Sequence, residues 1–453
     1  MLTLNQLKKY YTNAPSWMKT IYGTIPFNIR SGMEYRKWKI FLNENISIEE
    51  YELLKLKETV AYAYENTHYY KKLFDDLHAS PYDINDRTDL AKLPTIDKDI
   101  VREHYNDFIV KDFPMKKSFY VTTGGTSGAP MKFLQSKNIW GKEVAFIMNY
   151  YAKYGLTTNM KKASFRGGDF SLLPKNIYWK ENPHANEIHF SPFHINDETV
   201  RFYVTALNKY KIKFFQTYPS SIKLLIESMK KNHLELNYPI DTVFLFSENI
   251  LKSDIALIES FFNCRVSSLF GHSERLIFAP NYADNLSSYK IDRRYGLFEL
   301  LDKEENVVNS NDTIGEMVGT SFHNCVMPLI RYKTADMSSY MQKDEYIIHS
   351  IEGRWKQEYL VGTNGTKLYL TALNMHSDIF KNVIKFQFLQ VNRGEVELCL
   401  QIKSTFNKKD KEMILAALDK KAGHVIKTKI KIVDNFELTH RGKFMNVVKK
   451  FEN

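Results

Sequence analysis

The sequence predicts an α/β protein with a large multi-layer N-terminal domain over residues 1–353 and a small α+β domain over residues 354–453. Three observations carry this expectation. The chain has 453 residues, 43% of them hydrophobic, which is more than one core accommodates, so two or more domains are expected. In its middle, short apolar β-rich runs alternate with segments of helical spacing, as in α/β units on a buried sheet. After Arg354 a fresh pattern of strands around one helix begins.

The N-terminal part, up to about residue 110, reads as helical. EEYELLKLKETVAYAYENTHYYKKLFDDL keeps Leu53, Leu56, Val60, Tyr64 and Tyr70 near one face, and Pro81 and Pro94 punctuate the chain beyond it. KIKFFQTY, DTVFLFS and CRVSSLFG predict strands, with helices SSIKLLIESMKKN and SDIALIESFFN between them. From residue 285 to about 350, LFELLD, GEMVGTSF and EYIIHSI are strand-like patches separated by turn residues. Beyond Arg354 come EYLVG, KLYLTAL, KFQFLQV and EVELCLQI, the helix KDKEMILAALDKKA, and KTKIKIVD.

Lys and Arg number 63 against 52 Asp and Glu, a formal charge of +11 that suits anionic partners such as nucleotides, anionic lipid or nucleic acid. The basic residues fall in scattered pairs such as Lys116–Lys117 and Lys230–Lys231, with no nucleic-acid module, so a solvated surface is expected and no nucleic-acid partner. Cys264, Cys325 and Cys399 are far apart without CxxC spacing, which suggests neither a disulfide framework nor a zinc site and fits a reducing cytoplasm. No segment approaches the roughly 18 apolar residues of a membrane span, and the N-terminus lacks a signal-peptide core. The stretch SWMKTIYGTIPF suits either rest on a membrane surface or packing onto the domain, and packing is the expectation.

The motif that raises a chemical question is VTTGGTSGAPMK, Val121 to Lys132. Its glycines free the backbone to curl around an anion and its hydroxyls can donate to one. It is not a Walker A loop, since GxxxxGK[ST] is absent, and a kinase or motor ATPase is therefore not expected. Four further stretches accompany it: LFGHSER (Leu269–Arg275), RYKTADM (Arg331–Met337), read as ending a β-rich region on an acid, IEGRWKQ (Ile351–Gln357) at the change of composition, and THRGKF (Thr439–Phe444).

Together and in this order these motifs resemble the adenylate-forming superfamily of acyl-CoA synthetases, most closely its phenylacetate-coenzyme A ligase and CapK-like branch. The flanks AYAYENTHYYKKLFDDL, LAKLPTIDKDIVREHY, FQTYPSSIKLLIESMKKN and VFLFSENI extend the resemblance over most of the chain. It implies an N-terminal adenylation domain and a small mobile C-terminal domain joined by a hinge at Arg354. It also implies an AMP-forming carboxylate ligase that uses ATP and Mg²⁺, and coenzyme A where the acceptor is a thiol.

The resemblance assigns roles residue by residue. Thr122, Thr123, Thr126 and Ser127, with the amides of Gly124, Gly125 and Gly128, would hold the β- and γ-phosphates. Glu274 would hold Mg²⁺ through a hard carboxylate oxygen. Ser273 would touch the α-phosphate, and Phe270 would stack beside adenine. Ser247, Glu248, Gly271 and His272 would complete the nucleotide site. Asp336 would accept from both ribose hydroxyls and Arg354 would add charge nearby. Lys443 would reach the carboxylate and the α-phosphate. The acid would lie near Tyr218, Pro219, Phe246, Ser247, Gly271 and His272.

Two departures from the family pattern stand out: Ala335 occupies the glycine of the YxTGD-like motif, and Trp355, Lys356 and Gln357 replace the usual acidic hinge position. The resemblance further implies transfer of an acyl or amino acid to a thiol or amine, in capsular or surface polysaccharide synthesis. The competing expectation is a catalytically silent nucleotide-binding scaffold of a polysaccharide assembly complex, which Lys356 mildly favours.

Overall fold

The computed structural model describes residues 14–123, 131–168, 170, 173–248, 250–282, 285–351, 359–373, 378–380, 382–437 and 445–451. The chain forms two compact units whose segments interleave. The first gathers Met1–Val121, Lys132–Met160 and Ser268–Gly353; the second gathers Thr122–Met131, Lys161–Ser267 and Arg354–Asn453.

In the first unit, helices α1 (Ser16–Thr24), α2 (Phe27–Arg30), α3 (Gly32–Phe41), α4 (Ile48–Asn66) and α5 (His68–Asp76) precede the strands. The periodicity that reads as one long helix is two, because Thr67 turns extended and its hydroxyl caps α5 by accepting from the Tyr70 amide at 3.2 Å. Leu56, Val60 and Tyr70 are buried as the spacing predicts, whereas Leu53 and Tyr64 are half-buried. Glu52 is also buried on this face, held by Arg293 at 2.6 Å. The strands run in the order Gly296–Leu301, Ile314–Ser321, Tyr332–Gln342, Ile347–His349, Asn285–Lys290, Phe278–Tyr282 and the end of Arg265–Gly271 from Ser268 on, all neighbours antiparallel.

The described residues of the second unit form three sheets, one of them the antiparallel pair Tyr359–Val361 and Lys367–Tyr369. Thr242–Leu245, Phe214–Thr217, Lys162–Phe165 and Glu187–Phe190 are parallel neighbours, with Trp179–Asn182 antiparallel at the edge. Helices Pro219–Lys231 and Lys252–Phe262 form where the apolar spacing predicts them. Near the C-terminus the order is Lys427–Ile432, Glu395–Ile402, Val383–Asn392 and Val447–Lys449, with the helix Lys408–Ala422 alongside. An Asn407–Asp410 capping box starts that helix, and Ile414 and Leu418 bury its inner face. One apolar cluster joins Phe193 and Tyr218 to Leu360, Phe388, Leu398, Ile414 and Leu418, so these C-terminal residues pack within this unit against the 161–267 segment. No helix among the described residues is long and apolar enough to cross a membrane.

Candidate functional site

The glycine-rich loop is flanked by two paired strands, Ser118–Thr123 and Met131–Ser136, closed at the base by the Lys137 amide donating to the Lys117 carbonyl at 2.8 Å. Thr122 and Thr123 end the first strand; Gly124, Gly125, Thr126, Ser127 and Gly128 lie outside the described residues. The second strand is buried along most of its length, and it carries a polar residue that sequence reasoning missed. Gln135, fully buried, donates from Nε2 to the Ser273 carbonyl at 2.6 Å and accepts from Arg275 Nε at 3.0 Å. The strand that leaves the loop therefore grips the turn carrying Glu274.

That turn grows out of Arg265–Gly271. Past Gly271 the chain bends, the Arg275 amide bonds back to the His272 carbonyl at 3.1 Å, and Arg275 takes a left-handed φ of 58°. The Arg275 guanidinium is held from three sides: by Gln135, by Glu143 at 2.9 Å, and by the face of Trp140 at 4.7 Å. With Arg275 so fixed, the intervening His272, Ser273 and Glu274 have little freedom. His272 Nδ1 lies 3.2 Å from Glu274 Oε2, and the Phe270 ring is 5.8 Å from the imidazole.

Burial pushes the Glu274 carboxyl up, but the bond to His272, that ring's charge, the backbone amide of Glu274 and the charge of Lys98 together hold it below the ordinary value. The group is an ionised carboxylate in a half-buried turn, a hard oxygen donor suited to Mg²⁺, which takes one or two carboxylates and completes its shell with water and phosphate oxygens. Among the described residues no three His, Cys, Asp or Glu side chains form a group that could hold a metal ion.

Asp336 lies within the strand Tyr332–Gln342, and the sequence expectation that the motif ends the β region is corrected accordingly. The reason is a bulge. Lys333 opposes Val318 and Met337 opposes Glu316, which sets Thr334, Ala335 and Asp336 against Met317 alone. Ala335 sits at φ 61°, its amide donating to Glu316 Oε1 at 2.8 Å, and the Asp336 amide donates to Thr334 Oγ1 at 3.2 Å. The left-handed conformation explains why glycine is the pattern at 335. It also re-aims the acid relative to a regular strand.

In the second unit Ser247 lies just past the strand Thr242–Leu245 with φ 62°. Glu248 accepts from both the amide and the hydroxyl of Ser220, each at 3.0 Å, placing a carboxylate on the first turn of Pro219–Lys231 where the helix dipole favours it. Phe246 and Tyr218 bring their rings to 4.9 Å, and the Gly167 amide reaches the Tyr218 hydroxyl at 3.5 Å. Of the residues expected around the acid, Tyr218 and Phe246 are thus brought together with Ser247 and Pro219 beside them, while Gly271 and His272 belong to the other unit.

Arg354 and Lys443 lie outside the described residues. The foot of the Lys443 loop is nevertheless defined by a second buried glutamine. Gln387, on the strand Val383–Asn392, donates to the carbonyls of Glu437 at 2.7 Å and Met445 at 2.8 Å and accepts from the Glu437 amide at 3.0 Å. One side chain closes both ends of the segment that carries Lys443.

Comparison with known proteins agrees with this architecture. Residues 360–450 match the family model for the CapK C-terminal domain. Over 425 residues the chain is 24% identical to protein CapK of Staphylococcus aureus, covering 88% of this chain and 91% of the relative. A phenylacetate-coenzyme A ligase of Aromatoleum evansii is 24% identical over 296 residues, covering 63% of this chain and 65% of that protein. Among solved structures, 2-hydroxyisobutyryl-CoA ligase in complex with 2-HIB-AMP and CoA superposes with a TM-score of 0.56 at 15% identity, covering 88% of this chain and 89% of that one. That last likeness is one of fold.

Proposed function

We propose that this chain, which has the fold of the adenylate-forming acyl-CoA ligases and a CapK-type C-terminal domain, adenylates a carboxylic acid with ATP and passes the acyl group to an acceptor. The observation that carries the reading is the Glu274 turn: an ionised, half-buried carboxylate clamped through Gln135 by the strand that leaves a glycine-, serine- and threonine-rich loop.

The reaction requires two anions to meet. A carboxylate oxygen forms a bond to the α-phosphorus as the bond to pyrophosphate breaks, and the resulting acyl adenylate loses AMP when a thiol or amine attacks its carbonyl carbon. Donors and cations fixed in advance lower that barrier because they need no reorganisation as charge shifts. In this proposal the loop amides and hydroxyls of residues 122–128 hold the β- and γ-phosphates. Glu274 holds Mg²⁺, which supplies charge neutralisation on the phosphates when bound. Asp336 accepts from the ribose hydroxyls, and Phe270, Gly271, His272, Ser273, Ser247 and Glu248 line the nucleotide. Arg354 and Lys443 bring positive charge from the segment after the hinge, with Lys443 serving the adenylation step.

Coenzyme A is the acceptor the ligase relatives support. The CapK-like resemblance supports a place in capsular or surface polysaccharide synthesis, and an amine acceptor would suit it equally. The proposal further takes residues 354–453 as a domain that turns about Arg354 between the two half-reactions. Pyrophosphate release from a panel of carboxylic acids, with coenzyme A present and absent, tests the reading: acid-dependent release supports adenylation, coenzyme A-dependent consumption of the acid identifies the thiol acceptor, and ATP binding without release from any acid supports the scaffold instead.

A further inference from the structure

Aromatic side chains hold α2 to α3 and α3 to the first unit. Tyr35 of α3 is 1% exposed, with the Phe27 ring of α2 edge-on at 5.4 Å. Trp38 packs on Phe146 at 5.5 Å and His323 at 4.8 Å. Gly141 of the helix Ile139–Ala152 lets α3 come close, since a Cβ there would meet the Glu34 Cβ and the Tyr35 amide at 2.8 Å. Arg294 adds a bond to the Leu42 carbonyl at 3.0 Å. Helix α3 is therefore a fixed platform.

What these helices turn outward is unusual for a solvated surface. Met18, Ile21, Ile25, Ile29, Met33 and Ile40 are exposed, six of the nineteen exposed large apolar side chains among the described residues, within 23 positions. The clustering distinguishes them from the single exposed apolar residues that any surface carries. Met18, Ile21 and Ile25 recur at helical spacing along α1 and its C-cap, and Met33 and Ile40, seven apart, share the outer face of α3. Their neighbours are basic: residues 16–41 contain Lys19, Arg30, Arg36, Lys37 and Lys39 against Glu34 alone, five positive and one negative, a net +4. Arg36, Lys37 and Lys39 are exposed beside Met33 and Ile40.

We infer that α1 to α3 form a docking surface for an anionic phospholipid bilayer, on which the protein rests peripherally. Apolar side chains on a rigid platform reach into the headgroup and acyl boundary while the neighbouring cations meet lipid phosphate. Charge complementarity selects this occupant over a second copy of the chain, because a symmetric contact through this face would set +4 against +4. The inference is independent of the proposed adenylation chemistry and takes up the other reading of SWMKTIYGTIPF, rest on a membrane surface.

The test is co-sedimentation of the full chain with phosphatidylcholine vesicles, with and without phosphatidylglycerol. Binding is expected only with phosphatidylglycerol and should weaken as salt rises. The variant R36Q/K37Q/K39Q should bind on the order of 100-fold more weakly, about fivefold for each cation lost near the surface. I21S/I29S/I40S should lose at least about tenfold through its apolar contacts. All six positions have solvent-facing side chains, so both variants should keep the wild-type circular dichroism and melting profile. Binding that ignores lipid charge, variants that sediment like the wild type, or a lipid-free dimer that I21S/I29S/I40S dissociates would overturn the inference, the last by making the face a subunit contact.

Discussion

Gln135 is the residue whose removal bears most on the site without touching any ligand. Gln135→Met keeps the length of the side chain and removes both of its bonds, one to the Ser273 carbonyl at 2.6 Å and one from the Arg275 guanidinium at 3.0 Å. A neutral hydrogen bond contributes about 1 kcal/mol and one to a charged group about 2 kcal/mol, and a buried group left without a partner costs as much again or more. Arg275 keeps Glu143 at 2.9 Å and the Trp140 face, so its charge stays compensated and the total loss is about 2 to 3 kcal/mol. The same loss frees the His272–Glu274 turn. Thermal unfolding should shift down by several degrees, and acid-dependent pyrophosphate exchange should fall further than the remaining folded fraction explains. If Gln135→Met melts earlier yet exchanges pyrophosphate at the wild-type rate per folded molecule, the turn is not positioned by this strand and the reasoning fails.

Three further outcomes are expected at particular residues. Ala335 at φ 61° bears a left-handed strain of about 1 to 2 kcal/mol that glycine avoids. Glycine's freer unfolded chain offsets part of this. Ala335→Gly should therefore stabilise the protein by about 0.5 to 1 kcal/mol in urea titration, and a destabilised variant would contradict the strain. Burial lowers His189 and His194 from the ordinary value to about 4 and also lowers His424, whose ring stacks on His194 at 4.1 Å with Asp419 opposing the shift. The unfolded chain then takes up protons first as pH falls. Stability should be full above about pH 6.5 and decline toward about pH 4, at up to about 1.4 kcal/mol per pH unit for each such group. Replacing the stacked pair by phenylalanines should flatten the melting temperature in that window, and an unaltered pH profile would exclude the pair as a source. Gln387→Leu removes three bonds at the foot of the Lys443 loop and should slow pyrophosphate exchange while ATP still binds in a calorimeter; unchanged exchange would mean the loop is held elsewhere.

Much of the fold is legible in the sequence because its signals are local. Apolar runs of four to eight residues become the strands Phe214–Thr217, Thr242–Leu245 and Gly296–Leu301, and 3.6-residue spacing becomes Pro219–Lys231. Thr67 is the instructive exception: apolar periodicity continues through it, and only its capping role divides the helix. The interleaving of the two units escapes any reading along the chain, since it depends on which distant segments share a core. Gln135 and Gln387 are missed for the same reason, their partners being 138 and 50 or more residues away. A signal did exist. Each is an amide directly following an apolar residue in a strand, MKFLQS and VIKFQFLQVN, and a buried polar side chain must find partners. Ala335 is visible in the sequence only as a departure from a motif; the positive φ supplies its physical meaning.

The central claim, acid adenylation served by a lysine from the C-terminal segment, is tested most directly by pyrophosphate exchange in Lys443→Ala. Lys449 and Lys450 are unsuitable controls, since Lys449 lies over the Tyr359 ring at 3.3 Å and Lys450 pairs with Glu437. Lys408 is suitable, its side chain being 91% exposed. With an acid the wild type accepts, Lys443→Ala should bind ATP normally and exchange pyrophosphate on the order of 10²–10³ more slowly, while Lys408→Ala matches the wild type. Equal exchange by Lys443→Ala and Lys408→Ala, or a wild type that binds ATP and exchanges pyrophosphate with no acid, would contradict the account.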